Sequence, residues 1–162
     1  MASENPPTLA DQISRLYDLI AGYHVTHLME IARELGVWAA LVRTPGLGSE
    51  GLAGELGTDP FYTDVLCRTA FSFGLLEREG PGWRMAAHFD QILGDPESSF
   101  YLACAPRVHM VLGEDYRDYV AHFRAGTTRP YQEHGQVFMR EVAEALTRLV
   151  DRVRPRFVAA AG

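Results

Sequence analysis

Lysine is absent from the 162-residue chain: its 15 basic residues are all arginine, and 21 acids leave a net charge of −6. An acidic surface gains nothing from the phosphate neutralisation that dominates nucleic-acid binding. Cysteine is scarce as well. Cys67 and Cys104 stand far apart, each inside an apolar segment, which argues against a disulfide framework and for buried, reduced thiols in a cytoplasmic protein. Long hydrophobic runs are missing too: a stretch such as Val37 to Val42 is far too short to cross a bilayer. The opening Met1-Ala-Ser-Glu-Asn-Pro-Pro has neither a basic start nor an apolar stretch, so it does not read as a secretion signal. What is present, 47% hydrophobic and 22% charged residues, suits one compact domain with a real core.

Apolar residues recur at helical spacing from Thr8 to Leu35, with Gly22 expected to mark a kink or break and Gly36 to stop the segment. Val37 to Val42 reads as a short helical turn, and Thr44-Pro-Gly-Leu-Gly as a loop. Ser49 is expected to cap a short helix ending at Leu56. Asp59 and Pro60 are placed as cap and first residue of a further helix, whose stripe is read as Tyr62, Leu66, Thr69, Ala70 and Phe73, ending at Gly74. Leu75 to Glu79 and Trp83 to Ala86, joined by Gly80-Pro-Gly, give a hairpin signal. Helix, tight turn, helix and hairpin in that order make a winged helix-turn-helix. Phe100 to Arg124, bent by Pro106 and Gly113, and Tyr131 to Val153 are read as further helices. The expected fold is mainly α: a winged helix with a short two-stranded wing, flanked by long helices.

Leu52-Ala-Gly-Glu-Leu-Gly-Thr-Asp-Pro-Phe-Tyr-Thr-Asp-Val-Leu-Cys-Arg-Thr-Ala-Phe-Ser-Phe-Gly-Leu-Leu-Glu resembles the winged-helix signature of the plant and bacterial O-methyltransferase family. Tyr116-Arg-Asp-Tyr-Val-Ala-His-Phe-Arg-Ala-Gly and Tyr131-Gln-Glu-His-Gly-Gln-Val-Phe-Met resemble the helices that join the wing to that family's catalytic domain. The resemblance runs from Ala10 onward. It implies a two-domain parent: a front domain that forms a homodimer and roofs the substrate pocket, and a doubly wound C-terminal domain that holds S-adenosylmethionine (SAM) and supplies the catalytic base. After Val158 no apolar strand leads into a glycine-rich cofactor loop. The family's cofactor residues and catalytic histidine therefore have no counterpart here. Residues 1–162 are expected to form a single dimerisation and lid domain, with no catalytic, cofactor or metal residues of its own. Within it, 8–48 would be dimerisation helices, 49–87 the winged helix, 98–154 connecting helices, and 155–162 a linker to an absent cofactor domain.

Three motifs invite other functions, and each has a plainer explanation. Gly46-Leu-Gly-Ser-Glu-Gly51 fits G-x-G-x-x-G, but a dinucleotide site needs a strand before it and a full helix after it. A loop and cap explain it instead. The helix-turn-helix suggests DNA, yet from Glu50 to Met85 six acids face three bases, a net of −3, and the second helix is rich in Phe, Tyr and Leu. Packing against protein fits that face better, so neither nucleic acid nor membrane is an expected partner. His24, His27 and Glu30, at i, i+3 and i+6, lack a ligand pair elsewhere with metal spacing.

Ile13, Leu16, Tyr17, Ile20, Tyr23, Leu28 and Trp38 supply more apolar surface than one amphipathic helix needs, and are assigned to a homodimer interface. His109, Met110, Gly113 and Glu114 on a broken helix suit a pocket wall or, alternatively, an ordinary core helix with methionine as filler. By the resemblance, that segment with Phe138 and Met139 faces a small-molecule substrate. The implied parent transfers methyl groups, chiefly to oxygen of a hydroxylated or aromatic metabolite of secondary metabolism. The alternatives are a winged-helix transcriptional regulator and a stand-alone dimeric interaction module.

Overall fold

Thr8 opens the first helix. Its hydroxyl accepts from the Asp11 amide at 3.2 Å while the Asp11 carboxylate accepts from the Thr8 amide at 2.8 Å, so two otherwise orphaned donors are satisfied reciprocally. From this cap α1 runs unbroken from Leu9 to Glu34, about 39 Å at 1.5 Å per residue. The break expected at Gly22 does not occur. Nothing crowds that glycine, and one glycine costs a helix only about 1 kcal/mol, which the flanking helix formers absorb. The computed structural model describes residues 6–150 except 145, 148 and 149; the expected helix end at Val153 and the linker at 155–162 lie outside the described residues.

Gly36, at φ +80°, turns the chain directly into α2, Val37–Arg43. Here sits the centre of the core: Val37, Trp38, Ala40 and Leu41 are all buried, and the Trp38 indole N–H donates to the Met29 carbonyl at 3.1 Å. Helix α3, Ser49–Leu56, starts one residue earlier than expected, with Gly48 as its cap. Ser49 is used across the fold instead. Its hydroxyl accepts from the Trp83 indole and donates to the Asp64 carboxylate, both at 2.8 Å.

Asp59 caps α4, Pro60–Ser72, by accepting from the Tyr62 amide at 3.0 Å, with Pro60 in the first turn where no N–H is needed. The buried face of α4 is Thr63, Cys67 and Ala70; of the expected stripe Ala70 is buried and Leu66 packs partly against the core, while Tyr62 and Phe73 are exposed. Thr63 can go inside because its hydroxyl is bonded to the Asp59 carbonyl and to Thr58. The large rings of Phe61 and Tyr62 are left outside.

The wing is an antiparallel pair, β1 (Leu76–Glu79) and β2 (Gly82–Met85), in which Leu76 faces Met85 and Glu79 faces Gly82. Leu47 bridges to Trp83 on the other edge. A wide helical turn, Asp90–Gly94, then packs on α2. The helix expected from Phe100 begins only at Ala105: α5 is Ala105–Gly113, with Pro106 in its first turn rather than inside it. A tight turn, Glu114–Arg117, leads to α6, Tyr119–Ala125, which Gly126 ends at φ +65°. The last expected helix also starts late: Tyr131–Glu133 is an isolated tight turn, and α7 begins at residue 136.

Candidate functional site

The second half of α1 and the length of α5 pack side by side. Between them opens a cleft of about 690 Å3. Tyr23, Thr26 and His27 line it from α1, and His109, Met110, Gly113, Glu114, Tyr116 and Arg117 from α5 and the turn after it. Four of the six residues assigned to a substrate wall, His109, Met110, Gly113 and Glu114, are thus brought together. Phe138 is not with them. It lines a second cavity of about 550 Å3 with Leu112, Tyr119, Phe123 and His134. Met139 is partly exposed and lines neither.

A buried charge cluster fixes the spacing of the cleft walls. Glu30, only 1% exposed, accepts two hydrogen bonds from Arg33, both at 2.7 Å. Arg107 on α5 approaches Glu30 at 3.9 Å and Glu34 at 3.7 Å. These hydrogen bonds hold the Arg33 guanidinium above its ordinary value, against the opposing effect of burial. The cluster therefore ties α5 to α1 directly beside the cleft. His24, His27 and Glu30 do not converge, because a step of six residues sets the side chains about 120° apart around a helix. His24 and His27 instead pack edge-on to Tyr23, at 5.7 and 4.7 Å between ring centres. Among the described residues no three His, Cys, Asp or Glu side chains are grouped to hold a metal.

A second polar cluster, not foreseen in the sequence, borders the Phe138 cavity. Asp115, 5% exposed, pairs with Arg129 at 2.5 Å and lies 3.4 Å from His134, whose ring stacks on Phe138 at 4.4 Å. Arg129 also donates to the Glu133 carbonyl. These contacts strap the turn before α7 onto the end of α5. The contacts of Asp115 with Arg129 and His134 span fourteen and nineteen residues, so no local motif could announce them.

The residues assigned to an interface also divide. Ile13, Leu16, Tyr17, Ile20 and Tyr23 are exposed on α1, and Leu28 is half-buried against the core. Trp38 needs correction: at 1% exposure it is enclosed by its own chain and presents nothing to a partner. The helix-turn-helix carries little positive charge where a reading helix would need it. Arg68, the one cation of α4, is paired with Asp64 at 2.8 Å, while Phe61, Tyr62 and Val65 are exposed beside it.

Gly46–Gly51 is no phosphate cradle. A Cβ on Gly82 would lie 1.9 Å from the Gly46 carbonyl oxygen, so the space beside the loop is filled by backbone of the wing. The helix that follows has only eight residues. These residues do not fit SAM or a dinucleotide. Burial pushes the Cys67 thiol up to about 12, helped by Asp64, which leaves it an inert core group.

No family model matches the sequence, and no curated protein matches it either. Solved structures do match. An O-methyltransferase family protein from Burkholderia thailandensis superposes with a TM-score of 0.69 at 17% identity, over 90% of this chain and 44% of that one. The chain has the fold of an O-methyltransferase N-terminal domain. Human N-acetylserotonin methyltransferase, in complex with SAM, matches with a TM-score of 0.62 at 20% identity, over 94% and 48% of the two chains. N,N-8-amino-8-demethyl-D-riboflavin dimethyltransferase from Streptomyces davawensis gives 0.56 at 21%, over 94% and 48%. The chain therefore spans slightly under half the length of these O-methyltransferase-fold proteins. No helix among the described residues is long and apolar enough to cross a membrane.

Proposed function

We propose that this chain is the N-terminal dimerisation and substrate-lid domain of a SAM-dependent small-molecule methyltransferase, cytoplasmic and working in secondary metabolism. The acceptor is an oxygen of a hydroxylated or aromatic metabolite. One observation carries the reading: nine-tenths of the chain superposes on methyltransferases of which it spans under half. SAM binding and the catalytic base then belong to a C-terminal domain that these residues do not include, and the chain alone is inactive.

The lid reading is supported by the α1–α5 cleft. It offers apolar surface from Met110 and Val111 beside the polar groups of His27, His109, Glu114 and Arg117. A few hydrogen-bonding groups on an apolar wall are what orients a small hydroxylated ring. Calorimetric titration of the chain with SAM is expected to show no binding. Micromolar affinity would overturn the assignment of the cofactor to another domain.

The helix-turn-helix with its wing favours a second reading, a transcriptional regulator. A mobility-shift assay at moderate salt separates the two: the regulator retains DNA, and the methyltransferase domain does not.

A further inference from the structure

Arg84, Arg129 and Arg117 each line a cavity, and the first two already have their anion: Arg84 pairs with Glu77 and Arg129 with Asp115. Arg117, in the cleft between α1 and α5, pairs with no carboxylate among the described residues. Glu114 lines the same cleft three residues before it, in the same tight turn, and does not reach it. His27, His109 and Glu114 likewise make no side-chain hydrogen bond or ion pair among the described residues. Two rings complete the cleft. Tyr23 stands on the α1 wall and Tyr116 on the wall opposite, 61% and 63% exposed, with Met110 and Val111 as apolar lining.

We infer that the acceptor taken by this cleft is an aromatic acid, its ring held between Tyr23 and Tyr116 and its carboxylate on Arg117. This rests on reading the cleft as the acceptor site and narrows the acceptor to an anion. A guanidinium open to water needs no partner. Once an acceptor and a catalytic domain cover the cleft, that water is gone, and a cation left without an anion is costly. A neutral acceptor leaves the cost unmet. A carboxylate meets it, in the two-pronged geometry that a guanidinium favours. The chain as a whole carries a net charge of −6 and repels anions, so an acid needs a local cation to enter. Arg117 is that cation. The tyrosine rings offer flat apolar faces for an aromatic body, and His27, His109 and Glu114 are left to bond its hydroxyl groups.

Amide shift mapping of the chain with 4-hydroxybenzoate, and with its neutral counterpart 4-hydroxybenzamide, tests the acid and the cleft separately at neutral pH. Both probes are expected to shift the amides of Tyr23, His27, Met110 and Gly113. The acid should bind about two- to fivefold tighter, the size of an exposed ion pair. Arg117→Gln should abolish that preference and leave the affinity for the benzamide unchanged, which also shows that the variant is folded. Arg117 is exposed, so the substitution is tolerated. Equal affinity for the two probes, a preference that survives Arg117→Gln, or a variant that loses both probes alike would overturn the aromatic acid and leave the cleft as the acceptor site. Shifts confined to other parts of the chain, or none from either probe at millimolar concentration, would remove the cleft itself from the acceptor site and the inference with it.

Discussion

The two halves of α1 are built alike and end differently. Both are amphipathic, both repeat apolar residues every three or four positions, and no break separates them. From Val25 onward most of the apolar face is covered by α2, α4 and α5, with Ala32 at 0% exposure, while Ile31 and Leu35 stay exposed. From Leu9 to Ile20 the same kind of face is left exposed by the described residues. Helical periodicity thus reports that a face seeks cover. It does not report which chain supplies the cover.

Truncating the two faces should separate them most. Trp38→Ala removes a fully enclosed indole together with its hydrogen bond to Met29 and is expected to cost about 3–5 kcal/mol of unfolding free energy. Tyr17→Ala, at 66% exposure, should change the stability of the monomer by no more than about 0.5 kcal/mol. Urea titration of both variants at low protein concentration checks the contrast, and equal losses would break it.

Glu30→Ala tests the covered half from its polar side. Glu30 is 2% exposed in its side chain, but Arg33 and Arg107 keep 34% and 30% of theirs. The expected cost is about 2–4 kcal/mol, reduced from a fully buried pair because water still reaches both cations. Thermal unfolding measures it, and a loss near zero would mean that the cluster does not hold α5 on α1.

The smallest effect belongs to the free end. The Thr8 hydroxyl and backbone N–H hold the Asp11 carboxyl below its usual value of 3.8. A depressed value means that the cap contributes above about pH 4 and is lost as pH falls through the folded-state value. Amide exchange in the first turn of α1 should therefore quicken in acid relative to base-corrected rates, while the Trp38 region stays protected. An unchanged first turn would count against the capping box.

What could be read from the sequence was mostly local. Asp59-Pro60, Gly36 and the Gly80-Pro81 turn each act within a few residues, and each does in the fold what its chemistry demands. Ser49 was misplaced because a serine at a helix start is an obvious cap, whereas its bonds run to Trp83 and Asp64, 34 and 15 residues away. The face of α4 was misjudged by one position because hydrophobicity ranks Tyr62 above Thr63. Short-range hydrogen bonds let the threonine go inside. The α5 half of the cleft was legible as a mixed apolar and polar segment. Its α1 half was not: in the sequence Tyr23 reads as interface and His27 as a metal-ligand candidate, since the pairing of α1 with α5 is a long-range contact.

Sedimentation velocity of the chain and of Leu16→Glu, at tens of micromolar protein, bears most directly on the idea that a second copy covers the first half of α1. The prediction is a dimer for the parent chain and a monomer of unchanged helical content for the variant. A parent chain that sediments as a monomer throughout, or a variant that stays dimeric, would contradict it.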